Sequence, residues 1–364
     1  MQIDADRALP RDATQAASAS ASFDIGKLQS HISAALHGLD LPLDDATLPI
    51  AVRRLVQRCP TLPSPGSGCT LTRWRFLASL AARDLPLVKL YEAHADARAI
   101  LSELGAPSPF AGRDEFEIWG VWAARTAQGD LRIVRREGQG VYLCGTKPWC
   151  SGAQWVSHAL VTCVDQSGAL WLTAMPMKQA GVRVSERGWE SLGMQVTRSV
   201  EIDLMDAKAV LIGSSNAYLD RPGFWQGGAG IAACWYGAAA ALGARIREAA
   251  GRRSDPHLHA HLGSVDIALS AARAQLRAAS ASIDSLPDAD ARTLALRTRG
   301  VVESAVENVL RAAGRGLGAG PLCKDRWFAH MCTDLAVFVR QSHAEHDLES
   351  LGCALASSNE AWQL

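Results

Sequence analysis

Apolar residues recur at steps of three and four toward both ends of the chain and at steps of two in between. The sequence therefore reads as helices, then strands, then helices. Helical spacing covers residues 28–39 and 48–59. A Pro/Gly/Ser loop follows over 59–69 (CPTLPSPGSGC). Residues 71–104 are helical again. Leu77, Leu80, Ala81 and Leu85 recur on one face, then Leu87, Leu90 and Tyr91; Pro86 is expected to divide the run and Gly105 to stop it. From Trp119 the period shortens to two. Residues 131–135, 141–144, 160–164, 170–175 and 200–204 read as strands, separated by turns at 128–130, 137–140 and 165–168. Short strands at this spacing predict a small barrel or sandwich. From Pro222 the helical period returns over 230–250, 258–283, 288–313 and 327–351, which predicts an antiparallel four-helix bundle. The expected fold is α+β and mostly α. It comprises a flexible N-terminus (1–24), an N-terminal helical domain (25–118), a central β-barrel or sandwich (119–212) and a C-terminal four-helix bundle (213–364).

Composition narrows the class. The chain has 364 residues, enough for more than one core, and its 48% hydrophobic content is that of a globular protein. Lys plus Arg number 37 and Asp plus Glu number 37. That balance speaks against a nucleic-acid binder, which carries a basic excess, and against an acidic solvating chain. Nine cysteines, with no C-x-x-C pair, predict reduced thiols in a cytoplasmic protein. No secretory segment is evident near Met1. Residues 227–244 carry no charge but are mostly Gly and Ala, which predicts a closely packed buried helix rather than a membrane span.

Two segments carry more specific information. Residues 143–153 (LCGTKPWCSGA) resemble the strand G-x-K-x-W/F-[IC]-[ST]-x-[GA] of the acyl-CoA dehydrogenase superfamily, and residues 191–202 (SLGMQVTRSVEI) resemble its GMRxT strand. Gly237 matches the glycine of its A-x-G-x-x-A helix, and the order of helices, strands and bundle is that of the family. The resemblance implies FAD held between the β domain and the bundle. Trp149 would pack on a flavin edge, Cys150 and Ser151 would offer backbone amides and a hydroxyl to the ring, and Thr197 would join them. Without the resemblance, the same residues read as a hairpin with a core Trp and a turn Ser. Arg252 is placed to meet an FAD pyrophosphate across a subunit interface, or simply to finish a helix C-terminus. The resemblance further implies a homodimer or homotetramer and an acyl thioester substrate, on CoA or a carrier protein.

The expected catalytic base is missing. The family places a Glu eight residues after the Asp of an R-D pair; here that Asp is Asp334, and Ser342 stands eight residues on. Some members place it ten residues before the glycine matched by Gly237, which is Gly227. Three readings follow: Glu345 or His343 substitutes as base for α,β-dehydrogenation; the chain is a flavin monooxygenase of the same fold, with His343 taking a proton; or flavin or thioester is bound without turnover. His343 shares the helical stripe of Leu335 and Val339, so it is expected to point inward, or to serve as a core or subunit contact; Glu345 falls on another face. His343 and His346 lack an acidic partner on a second helix, and His257, His259 and His261 lack a nearby Cys pair, so no metal site is expected. Trp119 and Trp122 stand where the family's T-E-P loop is shortened, which suits a flat substrate.

Overall fold

The computed structural model describes residues 25–106, 109–110, 116–124, 131–358 and 362; the N-terminal tract and the turn at 128–130 lie outside them. The helices α1 (Ile25–Leu36), α2 (Leu48–Arg58), α3 (Thr70–Ala81) and α4 (Leu85–Glu103) come first. The break between α3 and α4 falls at 82–84, so Pro86 opens a helix rather than dividing one. In a first helical turn its missing N–H goes unused anyway. Asp84 caps that turn from outside, accepting from Leu87 N at 2.8 Å. Gly105, at φ +70°, ends α4 as expected.

Among the described residues seven strands follow: β1 (Trp119–Trp122), β2 (Arg132–Glu137), β3 (Gly140–Cys150), β4 (His158–Val164), β5 (Leu170–Pro176), β6 (Val182–Val184) and β7 (Val200–Ile212). They form one small sheet in the order β1-β4-β2-β3-β7-β5, with β6 on β7 and a further β4–β5 pairing. β3 and β7 are longer than the alternation predicts because each runs through irregular register: β3 is bulged between Lys147 and Cys150, and Asp206 in β7 has φ +51°. The first strand is fastened to α4 by His94. This buried ring accepts from Trp119 N at 3.2 Å through Nδ1 and reaches Pro60 O at 2.9 Å through Nε2; burial lowers its pKa to about 4, so it is neutral.

The C-terminal region contains α5 (Ala217–Asp220), α6 (Gly223–Arg252), α7 (Pro256–Ser285), α8 (Arg292–Leu317), α9 (Ala319–Lys324), α10 (Arg326–Phe338) and α11 (Glu345–Ala356). α6 is long and apolar enough to cross a membrane, yet it is the inner helix of this region, with Trp235 and Leu242 fully buried. Its glycines permit that packing: a Cβ on Gly237 would stand 2.1 Å from the Ala78 carbonyl of α3. His257, His259 and His261 belong to the first turns of α7, which Asp255 caps. The predicted fourth bundle helix over 327–351 is not continuous. It ends at Phe338, turns through a 3-10 segment at 339–341, and restarts at Glu345. The apolar stripe has only Ser and His at 342–343, and Leu348 and Leu351 resume it on nearly the opposite face, so nothing apolar holds a straight helix together there.

Candidate active site

The two segments that carry the family resemblance lie side by side and pack on helices. Trp149 sits in the β3 bulge at φ +57° and is 52% exposed. Cys150 is buried and its thiol donates to Lys147 O at 3.3 Å; burial pushes the thiol well above its ordinary range, so it is inert. Ser151 Oγ lies 2.7 Å from Ser199 Oγ, which lies 2.9 Å from Thr197 Oγ1, and Thr197 donates to Met194 O at 2.7 Å. A string of three hydroxyls therefore joins the segments, with Gly152 N donating to Thr197 O at 2.8 Å beside it. Lys147 turns away into the sheet and donates to Thr162.

Two glycines fix this corner against the helices. Gly152 has φ +71°, and a Cβ there would lie 2.7 Å from Leu90 of α4. A Cβ on Gly193 would lie 2.4 Å from the Thr333 carbonyl of α10. The next residue, Met194, donates its N–H to Asp334 Oδ1 at 2.5 Å. The glycine of the second segment and the Asp of the 333–334 pair thus belong to one docking contact. Burial pushes Asp334 up to about 7 against that hydrogen bond, and nearby Asp84 adds to the push.

The other candidates lie in the C-terminal helical region. His343 stands in the break between α10 and α11, and its side chain is 74% exposed, contrary to the inward position expected from a continuous helix. Its backbone N–H donates to Asp347 Oδ2 at 3.1 Å, and Nδ1 lies 3.4 Å from Asp347 Oδ1. Ser342 takes the inward position instead and donates to Glu303 of α8. Glu345 is exposed at the start of α11. Arg252 is exposed at the end of α6 and, among the described residues, is paired with Glu248 one turn before it; the structure brings it to none of the other candidates within this chain.

Arg299 of α8 links these elements, and the sequence reading passed over it. It is 9% exposed, donates to Gly228 O at 3.0 Å and Gln341 O at 2.6 Å, and lies 4.9 Å above the Trp235 ring. One guanidinium therefore holds together the two places where a family base is expected, the start of α6 and the residues before Ser342. A signal was present: Arg299 lies on the apolar stripe with Ala295, Val302 and Val306. Position 227 has a carboxylate beside it from elsewhere. Asp96 Oδ1 of α4 is 3.2 Å from where a Gly227 Cβ would stand. One turn earlier, burial pushes Glu92 up to about 7 against the pull of Lys89, with Asp96 adding to the rise. A crevice of about 320 Å³ among Asp44, Trp189, Arg198, Arg326 and His330 is lined by none of the candidates.

No family model and no curated protein matches the chain. Solved structures do, as folds. The FMN-bound dibenzothiophene monooxygenase TdsC of Paenibacillus sp. A11-2 matches with a TM-score of 0.71 at 16% identity, over 93% of this chain and 96% of that one. XiaF of a Streptomyces species, in complex with FADH2 and glycerol, matches with 0.72 at 17%, over 95% and 98%. A nitrososynthase of Micromonospora carbonacea var. africana matches with 0.71 at 16%, over 96% and 98%. The chain thus has the acyl-CoA dehydrogenase-like fold: mostly helical, with a small sheet and a C-terminal helical region.

Proposed function

We propose that this chain is a flavin-dependent monooxygenase that hydroxylates or N-oxidises a small molecule, with His343 as the acid–base group. The observation that carries the reading is the break at 342–344. At the position where a thioester dehydrogenase needs a carboxylate, the chain turns a Ser inward and presents an imidazole beside Asp347. The structural neighbours named as monooxygenases support the same choice. α,β-Dehydrogenation of an acyl thioester remains the second reading, with Asp96 beside Gly227 as its carboxylate.

The residues fit a flavin. Trp149 offers a broad, half-exposed apolar face on a backbone fixed by the β3 bulge, and Ser151 has a hydroxyl beside it. Bound in reduced form, a flavin would supply the electrons and activate oxygen. Trp149 would stack on the ring, and the Ser151–Ser199–Thr197 string would keep the Ser151 hydroxyl oriented. His343 would accept the proton that leaves the substrate's phenol, ring or amine group. FAD would also call on Arg252, from a neighbouring subunit of a homodimer or homotetramer; FMN would not.

The test is direct. Purified protein is titrated with FMN and with FAD, and reduced flavin is then mixed with oxygen and indole, a ligand found in TdsC. Flavin binding with oxygenated product supports the proposal. Anaerobic bleaching of bound flavin by an acyl-CoA supports the dehydrogenase, and failure to bind either flavin overturns both.

A further inference from the structure

The break at 342–344 is held more firmly than a chain turning between two helices needs. Arg299 grips the Gln341 carbonyl, Ser342 is bonded to Glu303, and Arg340 pairs with Glu303 at 2.8 Å and Glu307 at 3.0 Å. Ala344 is forced to φ +46°, ψ −115°, a conformation that side chains with a Cβ rarely adopt. The Gln341 carbonyl and the Ser342 hydroxyl are both held by α8. On its outer side the segment carries the His343 ring.

Among the described residues, one carboxylate, Asp347, lies within 4 Å of that ring. Asp347 takes the His343 backbone N–H with one oxygen and lies beside Nδ1 with the other, so backbone and ring are fixed by the same side chain. Asp347 in turn faces Arg299 Nε at 3.9 Å, and its own side chain is 18% exposed. The other charged or titratable groups near the break are Glu345 and His346 on α11, with the His346 ring centre 6.3 Å from that of His343, and Glu303, Arg340 and Arg299 on its inner side.

We propose that Asp347, backed by Arg299, is a positioning residue that holds the His343 proton on Nδ1 and so leaves Nε2 as the proton-accepting atom. The inference rests on the reading of His343 given above and adds the atom at which it acts. The proton leaves the substrate and forms a bond to Nε2, the electron pair stays on the substrate atom, and the resulting imidazolium charge stands against the Asp347 carboxylate. In neutral imidazole only one nitrogen carries hydrogen, and a fixed acceptor at Nδ1 decides which. A structural role for Asp347, capping the turn through the His343 backbone alone, makes no demand on the tautomer.

The experiment uses the full chain, labelled with ¹⁵N-histidine and recorded by long-range ¹⁵N–¹H spectroscopy at pH 8, with and without FMN. His343→Gln assigns the signals. The expected result is a protonated Nδ1 and an unprotonated Nε2 at His343, an exchange of the two in Asp347→Ala, and no exchange in His346→Ala. Asp347→Asn, which keeps an acceptor oxygen, should retain the wild-type tautomer. An unprotonated Nδ1 in the wild-type protein overturns the proposal, as does an unchanged tautomer in folded Asp347→Ala. Should that variant fail to fold, the wild-type spectrum decides alone. Flavin binding is read separately from the same samples, so loss of the flavin reading is distinguished from loss of this one.

Discussion

At the scale of single residues, the most sensitive positions are those where backbone meets backbone. Gly193→Ala would drive a methyl group into the Thr333 carbonyl and against Val337 Cγ2, 2.5 Å away. Overpacking of this kind costs about 1–3 kcal/mol, and a lowered urea midpoint with unchanged slope would show it. Asp334 and Asp84 make a second prediction. Burial raises Asp84 to about 6 and Asp334 to about 7, above the unfolded value near 3.9. The folded chain therefore keeps protons that the unfolded chain has released. The stability these groups contribute is complete below about pH 4 and is lost as pH rises through 6 and 7. Asp334→Asn stays neutral and still accepts from Met194, so its urea midpoint should gain on the wild type between pH 4 and 8. Parallel midpoint curves for the two proteins would refute the assignment.

At the scale of elements, the helices and strands were legible from period and punctuation. Asp84-Leu-Pro, Asp255-Pro and Gly105 mark helix ends by known chemistry, and the alternation of 160–164 and 170–175 became β4 and β5. The last helix was misread because Phe328, Met331, Leu335 and Val339 set a stripe strong enough to extrapolate through Ser342 and His343. What ends it is tertiary: Arg299 and Glu303 take the Gln341 carbonyl and the Ser342 hydroxyl, and both come from a helix about 40 residues upstream. Ala344→Gly should relieve the positive φ and stabilise the fold by about 1 kcal/mol. Equilibrium unfolding measures this, and a destabilised variant would show that the turn is not under strain.

At the scale of the molecule, the order of layers was readable because each layer has its own period. The site was readable only in part. The resemblance picked out Trp149, Ser151 and Thr197, and Ser199 joins the last two, whereas Arg299 and Asp347 come into view only when distant segments meet. A buried cation on an apolar stripe was the sole advance sign of Arg299. Arg252 tests the cofactor at this scale. If a neighbouring subunit's FAD uses it, Arg252→Ala should weaken FAD binding roughly tenfold and leave FMN binding unchanged. Equal losses for both flavins, in fluorescence titrations, would remove the pyrophosphate role.

The glycine contacts at 152 and 193 have a lasting effect on how such a molecule can diverge. Gly152 leaves room for the Leu90 side chain of α4, and Gly193 lets its segment come up against the Thr333 carbonyl of α10. At Gly193 the spacing is gauged by main chain, so neighbouring side chains can change in size without altering that distance, whereas at Gly152 any change of Leu90 resets it.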